Sequence, residues 1–124
     1  MTKKIKIPIK AAKAVEEENE FLIAAPEVKK LLDEKAKFSL VDIRTEAEFK
    51  MMHIEGALLA TRDLVEEIFN KWPKDSQVVL YDHTGAQAMM GAQSLVKKGF
   101  TNAKAIAGGI DAWSEAIDPL IPRY

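Results

Sequence analysis

Residues Tyr81 to Gln87 read Tyr-Asp-His-Thr-Gly-Ala-Gln, and they lead from the apolar run Val78–Tyr81 into a helical pattern. A tight strand-to-helix turn aims several backbone N–H groups into one concavity, and the helix N-terminus adds about half a positive charge. Such a cradle suits an anion or a reacting nucleophile. The candidate residues are Asp82, His83, Thr84, Gly85, Ala86 and Gln87, with Gly85 free to take a backbone shape that other residues resist. Asp82 and His83 suggest acid–base or metal chemistry. Side chains adjacent in sequence rarely face one site, however, and a metal needs three or four ligands. No metal and no other cofactor is therefore expected, and His83 is read as facing solvent. Asp42 and Arg44 stand at another strand end, and His53 precedes a turn. These three are read as pocket support: Asp42 bracing loop N–H groups, Arg44 pairing with a carboxylate such as Glu48, and His53 hydrogen-bonded in a structural role. The 124 residues contain no cysteine, which removes disulfides, thiolate–metal sites and thiol nucleophiles from consideration.

The elements that must position these residues follow from periodicity. Short apolar runs at Phe21–Ile23, Phe38–Ile43, Ala57–Leu59, Val78–Tyr81 and residues 103–107 read as strands. Helical patterns lie between them. Pro26 suits a first turn, and Val28, Leu31 and Leu32 make one apolar face. A short helix is expected from Glu46 to Met51. Leu64, Val65, Ile68 and Phe69 form an amphipathic face that stops at Pro73. Another helix runs from about Ala86 to Lys98, closed by Gly99. Gly108-Gly109 opens the last, which carries Ile110, Trp113 and Ile117. This alternation predicts an α/β fold: a central, mainly parallel five-stranded sheet with helices on both faces. Ligands of such sheets bind beyond the carboxyl ends of the strands, so the loops after Ile43, Tyr81 and Ala107 are the ones to inspect. Trp113 and Met89 are read as core, and Met51 and Met52 as flanking the pocket entrance.

Residues 1–20 form a charged arm, and the domain spans residues 21–124. Five lysines lie between Lys3 and Lys13 with no acid among them, and Glu16, Glu17, Glu18 and Glu20 follow. Ile5, Ile7 and Ile9 alternate with Lys6 and Pro8, a pattern that suits an edge strand, and a short helix is expected through the glutamates. The formal net charge of −1 gives no pull toward nucleic acid or anionic lipid. No apolar run approaches the ~20 residues that span a bilayer. The expected location is the cytoplasm, and the expected partner is a protein or small ligand of unknown identity. The oligomeric state is not legible.

The ordered motifs resemble the rhodanese-like (sulfurtransferase) family. Val41-Asp42-Ile43-Arg44 followed by Glu48-Phe49, the turn His53-Ile54-Glu55-Gly56-Ala57, the loop 82–87, Gly99-Phe100-Thr101-Asn102, and Gly108-Gly109 with Trp113 are similar to five family segments in the same order. The tail from Asp118 to Tyr124 is similar to the ends of rhodanese domains attached to adenylating enzymes. In active members, the resemblance implies, the first loop residue is a cysteine that holds sulfur as a persulfide, and the last is commonly an arginine that holds the anionic donor. Here those positions are Asp82 and Gln87.

Sulfane-sulfur transfer needs a soft thiolate that accepts and releases sulfur, and a carboxylate cannot form a persulfide. The resemblance and the replacement together imply a rhodanese-like domain without catalytic activity, acting as a binding or regulatory module linked to sulfur metabolism or protein interaction. Asp82 is expected to turn into the cradle and accept its N–H bonds. The alternatives are a hydrolase or phosphatase-like enzyme using Asp82 as nucleophile, and a sulfurtransferase homologue classed as such by similarity. Thr84 stands where haloacid-dehalogenase-type enzymes need their second acid, which counts against the first alternative.

Overall fold

The sequence alternates short β-formers with amphipathic stretches, and each strand is followed by a helix. A computed structural model describes residues 20–123. The arm's expected edge strand and most of its expected helix lie outside the described residues. The elements are β1 (Leu22–Ile23), α1 (Ala25–Asp33), β2 (Ser39–Asp42), α2 (Glu46–Met51), β3 (Leu58–Leu59), α3 (Arg62–Lys71), β4 (Gln77–Tyr81), α4 (Ala86–Lys97), β5 (Asn102–Ile106) and α5 (Gly109–Ala116). Each matches an expected element to within a few residues.

The sheet order is β1-β5-β4-β2-β3, and every neighbouring pair is parallel. A parallel sheet needs apolar residues on both faces, and the central strands supply them by alternation. On β4, Val79 and Tyr81 join the core under α1 and α5, with Leu40, Ile106 and Trp113. Val78 and Leu80 face the other way, joining Val41, Ile68, Ala92 and Leu95 beneath α3 and α4. Trp113 is buried as expected, and Met89 packs against the second core.

Local signals set the helix ends. Pro occupies the first turn of α1. Thr61 caps α3 through the Leu64 N–H at 3.1 Å, and Pro73 lies just beyond Trp72, where the helix stops. Gly99, at a φ of 99°, closes the turn after α4. The tail returns over α5: Ile121 is buried, its carbonyl accepts the Ser114 hydroxyl, and Arg123 lies on Asp111 at 2.7 Å.

Candidate functional site

β4 and β2 run side by side, with Asp42 in register with Tyr81, so Asp82 and Ile43 leave the sheet together at its carboxyl end. The turn after β4 is the expected cradle. Gly85 caps α4 with a φ of 108°, a conformation that L side chains resist, and no side chain at the cap position accepts the helix's first N–H groups. Asp82 accepts them from three residues back. Its Oδ1 receives the Gly85 N–H at 2.5 Å, and its Oδ2 receives those of Gln87 at 2.8 Å and Ala88 at 3.3 Å. The residue is only 6% exposed. A carboxylate at a helix N-terminus, accepting charge-assisted bonds, is favoured by both the donors and the dipole.

The loop is also held from behind. The Asp82 and His83 carbonyls accept the Ile110 and Asp111 N–H groups at 2.9 and 3.1 Å. This brings the start of α5 against the loop. Gly109 takes a φ of 64°, and a Cβ there would stand 2.6 Å from the Asp82 carbonyl oxygen, so only glycine fits. His83 differs from its solvent-facing expectation. It is half-buried, with Nε2 shielded from solvent, and it lies close enough to Asp111 to act on its charge. Its carbonyl is held by the Asp111 N–H, which sets the residue against the start of α5 and leaves it partly covered. Thr84, Ala86 and Gln87 are exposed on the rim.

An open cleft of about 520 Å³ lies in front of Asp82. Arg44, Thr45 and Glu48 form its opposite wall, and Ile43 its floor. Thr45 and Glu48 make a capping box for α2: the Thr45 hydroxyl accepts the Glu48 N–H at 3.2 Å, and Glu48 Oε1 accepts the Thr45 N–H at 3.2 Å. The Thr-x-x-Glu spacing is the sequence signal for this box.

Asp42 and Arg44 sit together. Asp42 does brace a loop N–H, that of Arg44 at 2.9 Å. A carboxylate does pair with the Arg44 guanidinium, that of Asp42 at 2.8 Å. Both side chains are almost fully buried. The guanidinium also donates to the Met52 carbonyl at 2.6 Å and lies over the Tyr81 ring, 5.8 Å from its centroid. The Tyr81 hydroxyl accepts the Ile54 N–H at 3.1 Å. Burial first, then the Asp42 charge and a hydrogen bond to it, raise the Tyr81 phenol above the ordinary tyrosine range.

His53 is hydrogen-bonded and stacked. Its Nδ1 donates to the Phe49 carbonyl at 2.7 Å, and the ring lies on Phe49 at 3.8 Å between centroids. It does not line the Asp82 cleft. It faces a separate one on the α1/α5 side, because the turn after α2 carries it over the other face. Met51, Met52 and Met90 are exposed. Among the described residues no group of three or more His, Cys, Asp or Glu side chains is placed to hold a metal.

The fold and site together define a class: a parallel α/β domain whose central strand ends in a helix-capping anion cradle. The rhodanese-like domain model matches residues 24–116, so the chain belongs to the rhodanese-like domain family. It is 34% identical over 104 residues to the probable adenylyltransferase/sulfurtransferase MoeZ of Mycobacterium tuberculosis, covering 82% of this chain and 26% of that protein. It is 34% identical over 82 residues to a sulfurtransferase of Allochromatium vinosum, covering 66% of this chain and 77% of that one. The chain thus spans about a quarter of the length of the MoeZ-type relatives. Among solved structures, a rhodanese-like domain protein from Staphylococcus aureus superposes with a TM-score of 0.64 at 27% identity, covering 74% of this chain and 89% of that one.

Proposed function

We propose that this domain is a rhodanese-like module that carries no sulfur itself and acts by binding a protein or small ligand in the cytoplasm. One observation carries the reading: the Asp82 carboxylate occupies the cradle and takes three of its N–H groups, in a sequence of 124 residues without a thiol. Both oxygens are held inside the loop, so neither is presented as a nucleophile, which also weighs against a phosphatase-like role. A free anion would meet a buried negative charge and already committed donors. The cleft beside the loop remains open, and the exposed Thr84 and Gln87 on its rim offer hydroxyl and amide contacts to a ligand, while the buried Arg44 guanidinium is held by Asp42. The names of the relatives support a link to sulfur chemistry, in which this module would hold a partner rather than exchange sulfur.

Incubation with thiosulfate and cyanide tests the reading. Turnover is expected at the level of the buffer control. Intact-mass spectrometry after thiosulfate treatment is expected to show no added sulfur atom. Turnover well above background, or a transferable sulfur on the pure chain, overturns it.

A further inference from the structure

The second cleft, of about 530 Å³, lies between α1, the turn after α2, α5 and the tail. Nothing in the Asp82 site uses it. Its floor is apolar, presented by Leu32 and Ile117 over the buried Ile54, Trp113 and Ile121. Its rim is acidic. Asp33, Glu55 and Asp118 face a single cation, Lys29, which already lies on Asp33 at 2.7 Å. The other clefts on the described surface that carry charge at all do not combine three carboxylates with such a floor.

The chain carries a segment of complementary chemistry. Lys3, Lys4, Lys6, Lys10 and Lys13 are five cations with no acid among them, and Ile5, Ile7 and Ile9 alternate with Lys6 and Pro8. If docked as an extended strand, the segment would place Ile5, Ile7 and Ile9 on one side with Lys3 and Lys13, and Lys4, Lys6 and Lys10 on the other. Isoleucines on the floor and lysines at the rim would satisfy both surfaces at once. The ten residue steps from Lys10 to Glu20 extend to about 33 Å, comparable with the width of a domain whose radius of gyration is ~14 Å.

We propose that the α1/α5 cleft is the docking site of the chain's own basic segment, Lys3 to Lys13, held by charge at Asp33, Glu55 and Asp118 and by its isoleucines on the floor. The occupant is intramolecular.

Zero-length carbodiimide cross-linking of the full 124-residue chain at low concentration tests this, with peptide mapping by mass spectrometry. Cross-links within one molecule are expected from the arm lysines to Glu55, Asp118 and Asp33, at least fivefold above those to Glu66 and Asp75. In Glu55→Lys, a change at an exposed position, the arm links to Asp118 and Asp33 are expected to fall at least threefold, as they are in 0.5 M salt. A urea-unfolding midpoint unchanged from the parent reports that the variant is folded. Arm links spread evenly over the surface carboxylates overturn the proposal. So do links found only between molecules, which would make a second copy the occupant, and links to Asp118 and Asp33 unchanged by Glu55→Lys.

Discussion

Two aspartates leave the carboxyl end of the sheet side by side, and they are satisfied in opposite ways. Asp42, at the end of β2, is buried against a full positive charge, the Arg44 guanidinium. Asp82, after β4, is buried against backbone alone, the N–H groups that open α4. One is half of an ion pair, and the other is a helix cap. Removing the first leaves a buried cation without its anion. Removing the second leaves N–H donors that water or an incoming anion can reach through the cleft. The same residue type thus carries a structural obligation at one strand end and a replaceable one at its neighbour. This difference is the physical basis for treating the cradle as a filled site.

The comparison can be broken at its strongest point first. Asp42→Ala strands Arg44, whose side chain is 4% exposed, and is expected to cost about 3–5 kcal/mol in urea unfolding. A loss no greater than that of the matching Asp82 variant would erase the contrast. Gly109→Ala drives a methyl into the Asp82 carbonyl and is expected to cost about 1–3 kcal/mol while loosening the loop. Amide exchange at Ile110 and Asp111 should rise with it. Asp82→Ala removes the cap and is expected to cost about 1–2 kcal/mol. The variant should gain what the parent lacks, a midpoint raised by millimolar thiosulfate or sulfate beyond an ionic-strength-matched chloride control. Equal response in parent and variant would show that the carboxylate does not fill the cradle.

The smallest effect is a pH dependence beside Asp42. The Tyr81 pKa is raised in the folded chain, so the folded state holds that proton more tightly than the unfolded one, whose tyrosines titrate near about 10. The stabilisation is complete below about pH 10 and is lost as pH rises toward the folded value. Tyr81→Phe removes it, so the parent's stability should fall more steeply than the variant's above about pH 10. Parallel curves would place the phenol outside the Asp42 network.

What was legible in the sequence was what local chemistry decides. Pro26, Pro73, Gly99 and the alternation at Val78–Tyr81 fix where elements start and stop, and those boundaries follow from side-chain sterics and period. The parallel five-stranded sheet follows from their order. The cradle was legible as well, because a strand running into a helix through Gly85 constrains the backbone whatever the tertiary surroundings. The Asp42–Arg44 pair has a signal of its own: residues two apart at a strand end share a face. The Thr45–Glu48 box was likewise written in its spacing and was overlooked. The contact of Gly109 with Asp82 and His83, and the bridge from Ile54 through Tyr81 to Asp42, join residues 26 to 39 positions apart. No periodicity encodes them, and they depend on how two loops meet once the sheet has formed.

Among the described residues the sheet ends on both sides in strands of two residues, Leu22–Ile23 and Leu58–Leu59. A foreign β-segment adding to either margin would find two rungs at most, too few to template cross-β growth. The longer strands β2, β4 and β5, which carry the apolar runs Leu40-Val41 and Val78–Tyr81, are kept in the interior of the sheet. Concentrated solutions of the folded domain should therefore resist fibril formation, and any polymerisation would have to begin from chains that have lost the sheet.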